Sequence, residues 1–531
     1  MYLSLGPRVS LRSNGAQLGF SVGGSKDINN FRENIRNGYL PIITDLLYEG
    51  LFYEYFFDTG SSVNSQYVCE KLFCPTYSMA TVYNNSFPEP KQQLHEYYIT
   101  VGFNSNLRAS TFKRNPLNLV VVLDTSESMS SSFDSYYYDR PTVKNNNNGD
   151  SRSKIQIALD ILVKLLNHLS AEDRLAIVTF NTKAKIIQTF KQLKDINLKV
   201  LNKQLLNIRA QGWTDISAGI STGASLFSSQ LLSDDYDNRI VFLTDAQPNE
   251  GNLREESFIT SIEQLACRHI YMTFIGVGID FNTKLISSIT KQRGANFFSV
   301  GNSKSFTQLL DEDFDLIITP LIFNLTLKFE SNQFEIDQVY GSPEYKQSTN
   351  ELMKINTLFP SRRKNDDTTR GGIVLIKLKK KNQSNLNTFD IRLTVTYEDR
   401  LNKIYEENRS INILRTQKQC SKSSYSNTGI RKGILLVNYV TLLKQWMVNE
   451  RQHKFNGKPI TTIYNYSDEH FLFPHMLSGW ERQSLPLVVS DVYQQLFKRF
   501  LDYFQTEMAE LNDPDLKQEA DLLKFLIEFD K

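Results

Sequence analysis

The sequence predicts a doubly wound α/β domain built on a mostly parallel sheet, joined to a β-rich platform and followed by C-terminal helices. Three observations carry this prediction. Leu119–Leu123, running into Asp124, is a continuous apolar run without polar alternation, as expected of a strand covered by helices on both faces. Arg239–Asp245 (RIVFLTD) repeats the device, an apolar strand that ends in a carboxylate. From Pro116 to about Thr319, strand and helical periodicities alternate as βαβ units require.

Within that stretch, a helix from about Lys154 to Leu169 places Ile155, Ile157, Ala158, Ile161, Leu162, Leu165 and Leu166 at helical spacing. A strand at Arg174–Phe180 follows, with Ala184–Phe190 as its hairpin partner at the sheet edge. Helices are expected near Leu198–Ile208 and Ile216–Phe227. After Arg239–Asp245 come helix Glu255–Cys267, strand His269–Val277, helix Thr283–Gln292, strand Asn296–Val300 and helix Ser305–Asp315. Residues 320–415 change to a period of two in Leu321–Phe329, Gly372–Lys379 and Phe389–Tyr397, which means antiparallel strands with one solvated face. Together with residues 60–115, where Tyr97–Phe103 reads as a strand, they are expected to form the platform. The charged link Ser361–Arg370 reads as a solvated loop. Residues 1–59 read as a helical or irregular segment, with helices over Asn29–Asn37 and Leu46–Phe57. Residues 430–531 read as helices over Ile430–Asn449, Asp491–Asn512 and Pro514–Phe529 that pack on the other domains. The expected units are therefore 1–59, 60–115, 116–319, 320–415 and 430–531.

Composition narrows the function. A chain of 531 residues exceeds one ordinary core, and 40% hydrophobic with 12% aromatic residues indicates folded domains. A net charge of +2 with no interleaved basic and aromatic stripe argues against a nucleic-acid partner. No apolar run reaches the length of about 18 residues that a membrane helix needs. The N-terminus, MYLSLGPRVSLRSNGAQLGF, lacks the apolar core of a secretory signal, which favours a cytoplasmic over a secreted protein. Cys69, Cys74, Cys267 and Cys420 do not form a disulfide framework in a chain this long. Cys69 and Cys74 are near enough to pair locally, but unpaired thiols are expected.

The candidate site lies where the apolar strands end. Asp124 opens the pattern Asp-x-Ser-x-Ser with Ser126 and Ser128, Thr214 lies in QGWTD before a helix, and Asp245 ends FLTD. In open α/β sheets, ligands sit outside the carboxyl ends of the strands, so the three loops are expected to be neighbours. Their oxygens are hard donors, suited to Mg²⁺, Mn²⁺ or Ca²⁺ and not to Zn²⁺. Hydroxyls as most of the first shell leave the ion's charge undercompensated, which would attract a carboxylate from a partner protein. Neither a nucleophile with its base nor a Gly-rich phosphate cradle accompanies these residues. Phe56–Ser62 (FFDTGSS) matches an aspartic-protease motif, but that chemistry needs a second Asp-Thr/Ser-Gly and none exists, so Gly60 reads as turn punctuation. His470 and His475 read as loop residues and not as a zinc site.

DTSES, the Thr of GWTD and LTDAQPN, in this order and spacing, resemble the von Willebrand factor A domain and its metal-ion-dependent adhesion site. The resemblance covers roughly Pro116–Asp315. It implies that Ser126 and Ser128 coordinate directly, that Thr214 coordinates in the high-affinity state, and that Asp124 and Asp245 act largely through water. Thr125 and Glu127 depart from the small residues often found between the ligands, and Trp213 from the Gly often found before the Thr. Glu127 would add negative charge and Trp213 an apolar rim; the alternative reading of both is inert surface. The insertion Ser131–Ser153 would overhang the Asp124 loop. NNFRENIRNGYLP and YEGLFYEYFFDTG look like bacterial and archaeal A-domain proteins labelled calcium-activated chloride channel homologues, with the inter-α-trypsin inhibitor heavy chains a more distant likeness. The resemblance implies a non-enzymatic, cation-dependent protein-binding module for adhesion or assembly. The alternative is a scaffold with a vestigial metal site that interacts through the platform and the C-terminal helices.

Overall fold

A computed structural model of the chain describes residues 17–529 apart from 61–68, 84–94, 140–151, 230, 234, 302, 345–351, 382–387, 415–422 and 455–476. The first elements are β1 (Gln17–Val22), β2 (Gly24–Ser25), α1 (Asn29–Arg36), α2 (Tyr48–Glu54), β3 (Phe56–Asp58), β4 (Cys74–Tyr83) and β5 (His95–Arg108). The α/β unit follows with β6 (Leu117–Asp124), α3 (Lys154–Leu166), β7 (Arg174–Phe180), β8 (Ala184–Gln192), α4 (Leu198–Leu206), α5 (Ile216–Ser225) and β9 (Asp237–Thr244). It closes with α6 (Glu255–Cys267), β10 (Ile270–Gly276), α7 (Thr283–Ile289), β11 (Asn296–Ser299) and α8 (Ser303–Ile317). Then come β12 (Ile322–Ser331), β13 (Phe334–Tyr340), β14 (Leu352–Ser361), β15 (Thr368–Arg370), β16 (Ile373–Lys380), β17 (Thr388–Asp399), β18 (Ile404–Leu414) and β19 (Ser424–Tyr425). The last helices are α9 (Thr428–Lys454), α10 (Asp491–Leu511) and α11 (Lys517–Glu528).

The α/β unit is the doubly wound fold that the apolar runs predict. Its seven-stranded sheet has the order β2-β11-β10-β9-β6-β7-β8, parallel except for the β7–β8 hairpin. Every residue of β6 is buried because each face of the strand meets helices. Leu119, Val121 and Leu123 pack with α3 and α8, whereas Val120 and Val122 pack with α5, α6 and α7. The chain runs outward from β6 to β7 and β8, then returns to lay β9 on the other side of β6. The carboxyl ends of β6 and β9 thus flank the topological switch point, where a crevice opens in folds of this kind.

The second layer is a ten-stranded antiparallel sheet ordered β13-β16-β5-β1-β14-β12-β17-β18, with β4 on β5 and β19 on β4. Within residues 17–59 the helices expected over Asn29–Asn37 and Leu46–Phe57 are α1 and α2, and the strands β1 and β2, which the sequence-based expectation lacks, precede them. β1 lies between β5 and β14, and β2 adds to the parallel sheet beside β11. Leu18, Phe20 and Val22 do alternate toward the core, but the glycines after them hide the pattern and the pairing partners are remote in sequence. Gly23 donates to the Thr357 carbonyl at 2.9 Å, so the chain steps from one sheet to the other within a single residue. The thiol expectation also fails at two positions. Cys69 and Cys74 form a disulfide, with Cα atoms 5.9 Å apart, because the turn leading into β4 folds back on the strand. Cys267 is a free, exposed thiol.

Ser361–Arg370 is likewise more than a solvated loop. Arg362, just after β14, and Arg370 of β15, which pairs with β3 in a separate two-stranded sheet, both reach Asp313 of α8, whose side chain is almost fully buried, and so clamp the end of that helix to the link between β14 and β16. No helix among the described residues is long and apolar enough to cross a membrane.

The C-terminal helices share one core with α1 and α2, in which Trp446, Phe497, Phe504 and Leu523 are fully buried. At its centre Glu519 accepts hydrogen bonds from Tyr55 Oη (2.8 Å) and Tyr439 Oη (2.7 Å) and pairs with Arg32. Burial alone would raise the Glu519 pKa, but Arg32 and the two phenols hold it below the usual carboxylate value. Removing one partner of a buried pair strands the other charge. Glu519→Ala is therefore expected to cost about 3–5 kcal/mol of stability, read as a lowered urea midpoint.

Candidate metal site

The loops at the switch point are positioned by strand register. Leu123 pairs with Leu243, which sets Thr244 beside the carboxylate that ends β6. Asp124 is fully buried: Oδ1 accepts from the Ser126 N–H at 2.9 Å and Oδ2 from the Thr244 hydroxyl at 2.6 Å. The chain then turns through a 3₁₀ segment, Glu127–Ser130, which sets the Ser126 and Ser128 hydroxyl oxygens 3.1 Å apart. Ala246, just after Asp245, takes a left-handed φ of 56° and donates to Thr244 Oγ1 at 2.8 Å, which closes the turn leaving β9.

Thr214 is buried and is held to the same edge through the backbone. The Gln211 N–H donates to the Thr125 carbonyl at 2.8 Å and the Glu127 N–H to the Gly212 carbonyl at 2.9 Å. The Thr214 N–H in turn donates to Asn249 Oδ1 at 2.8 Å. Asp215 then caps α5 by accepting from the Ala218 N–H. Gly251, at φ 75°, makes this possible, since a Cβ there would lie 2.4 Å from Asp215 Oδ1. The structure thus brings the five sequence-derived residues to one sheet edge. Asp124, Ser126 and Ser128 are linked by hydrogen bonds, Asp245 follows Thr244, and Thr214 is tied in through the neighbouring loop.

Two residues that sequence reasoning missed dominate the electrostatics. Lys154, the first residue of α3, is fully buried, with Nζ 3.0 Å from Asp245 Oδ2 and 2.6 Å from Asp280. Asp280 Oδ2 also accepts from Gln247 Nε2 at 2.9 Å and from the Tyr137 N–H at 3.2 Å. Gly278, at φ 99°, leaves room for the lysine, because a Cβ would meet Lys154 Cε at 2.7 Å. Burial works against the Lys154 charge, yet Asp280 and Asp245 outweigh it and raise its pKa. Asp124 is raised by burial and then by the Asp245 charge. Asp245 is raised by burial, with Lys154 offsetting part of the effect. A signal for Asp280 existed: it follows β10 in GVGID and is the third carboxylate after a parallel strand. Lys154 had none, since a lysine in a first helical turn ordinarily points to water.

One flank of this edge is covered by the chain itself. In the described part of the insertion, Tyr136 is buried and donates to Asn34 Oδ1 at 2.6 Å. Residues 478–484 lie across the neighbouring loops. Ser478 donates to the Pro248 carbonyl at 2.8 Å, Trp480 Nε1 to Leu253 at 2.7 Å, and the Arg482 N–H to Gln247 Oε1 at 2.8 Å. Glu481 accepts from Tyr138 Oη and, at 2.8 Å, from Asn249 Nδ2, so Asn249 bridges an acidic side chain to Thr214. Glu127 is exposed and Trp213 is 60% exposed. Asn145–Asn148, His470 and His475 lie outside the described residues. Asp58 of the protease-like motif accepts from the Gly60 N–H at 2.8 Å in a local turn, and its strand pairs with β15.

These residues fit a hard cation. Asp245 Oδ1 is buried with no hydrogen-bond partner, and the two serine oxygens lie close together. No group of three His, Cys, Asp or Glu side chains that could hold a metal occurs among the described residues. An ion here would therefore rely on hydroxyl oxygens and water, as Mg²⁺-type ions tolerate.

Comparison with known proteins agrees with the fold. Residues 118–312 match the family model of the von Willebrand factor type A domain. The inter-alpha-trypsin inhibitor heavy chain H4 of Homo sapiens is 22% identical over 227 residues, which is 41% of this chain and 22% of that protein. The match thus spans about a fifth of that relative's length. A von Willebrand factor type A structure from Catenulispora acidiphila aligns at 10% identity over 76% of this chain and 92% of its own, with a TM-score of 0.44. The ArnB paralog VWA2 of Sulfolobus acidocaldarius aligns at 16% identity over 86% of this chain and 97% of its own, with a TM-score of 0.39. The chain carries a von Willebrand factor type A domain at residues 118–312.

Proposed function

We propose that the protein is a non-enzymatic, divalent-cation-dependent protein-binding module for adhesion or assembly, in which an ion at the switch point bridges to an Asp or Glu of a partner. The buried Asp245 carboxylate carries the reading: its Oδ1 makes no close hydrogen bond while the Ser128 side chain interacts with the same group, which leaves an oxygen open beside the two serine hydroxyls. Ser126, Ser128 and Thr214 would supply neutral oxygens, with Asp124 and Asp245 holding the loops and any water ligands in place. A bound Mg²⁺, Mn²⁺ or Ca²⁺ supplies the positive charge that attracts the partner carboxylate. Lys154 sets the charge against which the ion is felt, since its ammonium already neutralises part of Asp245 and Asp280.

That same ammonium favours a second reading, in which the domain is a scaffold with a vestigial metal site. The two separate in calorimetry with Mn²⁺. The first expects measurable binding that Ser126→Ala weakens about 10–100-fold, whereas the second expects none in either protein. Because Asp124 and Asp245 are both raised, protons compete with the ion over a range above ordinary carboxylate titration. Mn²⁺ affinity is accordingly expected to fall as pH is lowered from about 8 to about 6.

Lys154→Met provides a sharper check. It strands two buried carboxylates and is expected to lower metal-free stability by about 3–5 kcal/mol. On the first reading, saturating Mn²⁺ restores much of that loss as a higher melting temperature, and Mn²⁺ binds the variant more tightly than wild type. An unchanged melting temperature in Mn²⁺ favours the scaffold.

A further inference from the structure

The edge on the far side of the Asp124 loop has a different character. Between positions 183 and 209 the chain carries Lys183, Lys185, Lys191, Lys194, Lys199, Lys203 and Arg209 against one acid, Asp195, with Lys194 paired to Glu172 just outside the stretch, although the whole protein has a net charge of only +2. The same stretch holds three of the molecule's exposed large apolar side chains, Ile186 (41%), Val200 (53%) and Leu206 (68%), and Trp213 (60%) follows in the Thr214 loop. A groove of 660 Å³ runs from Thr125 and Gln211, at the candidate metal loop, to Lys183, Lys185 and Arg209. One wall is β8, the last strand of the parallel sheet's order, so its outer backbone edge has no neighbouring strand among the described residues. The opposite flank is covered by residues 478–484.

We propose that this groove docks an extended acidic segment of a partner protein. Resting on the cation-bridging reading, it places one carboxylate of the segment at the ion and lays the following residues along β8. Lys183, Lys185 and Arg209 meet its further acidic side chains, and Ile186, with Trp213 beyond the groove in the Thr214 loop, its apolar ones. Charge complementarity identifies the occupant, since a cluster of cations at a groove rim steers and selects an acidic partner. An extended strand suits an open sheet edge, whose unpaired N–H and C=O groups it satisfies while alternate side chains enter the groove.

The test uses the full chain and a fluorescein-labelled peptide of nine residues, the length of β8, alternating Glu or Asp with Leu. Fluorescence anisotropy is followed in Mn²⁺ and in EDTA, at low and high salt. The expected result is Mn²⁺-enhanced, salt-sensitive binding that Lys183→Glu combined with Lys185→Glu weakens by about tenfold or more. Trp213→Ala is expected to weaken it as well, and a Lys-for-acid peptide not to bind. Unaltered Mn²⁺ affinity in the charge-reversed variant shows that its fold and metal loop are intact. Peptide binding that both sets of substitutions leave unchanged overturns the groove and leaves the metal reading standing. Binding that is lost on charge reversal but is indifferent to Mn²⁺ supports the groove and removes the metal reading. Charge-dependent capture by phosphatidylserine vesicles, with no binding of the acidic peptide, overturns the proposal in favour of a membrane surface.

Discussion

Three carboxylates and one ammonium buried at the end of a parallel sheet constrain everything built around them. Charges removed from water are stable only when paired and hydrogen-bonded. Asp124 has Thr244 and Ser126, Asp280 has Gln247 and the Tyr137 backbone, and Lys154 joins Asp245 to Asp280. The partners come from the segment after β6, from the end of β9 and the loop that follows it, and from the start of α3, so meeting the electrostatic need of the group fixes the relative placement of β6, β9, β10 and α3. Gly278 is part of the same requirement, because any larger residue would displace the lysine. The architecture that could receive an ion is therefore self-consistent through its own cation.

Much of this was legible in the sequence where the physics is local. Unbroken apolar runs ending in Asp124 and Asp245 reveal parallel strands covered on both faces, and the switch-point rule brings their ends together. What escaped depends on partners remote along the chain. β1 alternates correctly but is followed by glycines, and its neighbours β5 and β14 lie far away in sequence. Lys154 looks like any solvated lysine at a helix start, and only the convergence of Asp245 and Asp280 turns it inward. The Arg362 and Arg370 clamp on Asp313 escaped for the same reason, since a charged loop shows no sign of an acidic helix end waiting for it.

The C-terminal region bears on the candidate site in a way that helical periodicity does not suggest. Between α9 and α10 the chain crosses the loops beside the site, and Asn249 contacts both Glu481 and the Thr214 backbone. The buried Arg32–Glu519 pair anchors α11 against α1, and Asn34 of α1 accepts from Tyr136 in the insertion beside the Asp124 loop. Helices distant in sequence from the α/β unit thus frame one side of the edge that carries the candidate site.

The step at Gly23 has a mechanical meaning. Strand β1 is bonded into the antiparallel layer and β2 into the parallel one, with a single residue between them. The two layers are therefore coupled through this point only as strongly as the short β2–β11 pairing, which rests on Asn296–Gly24 and Phe297–Ser25, so separating the sheets would break there first while the longer β1 ladder holds.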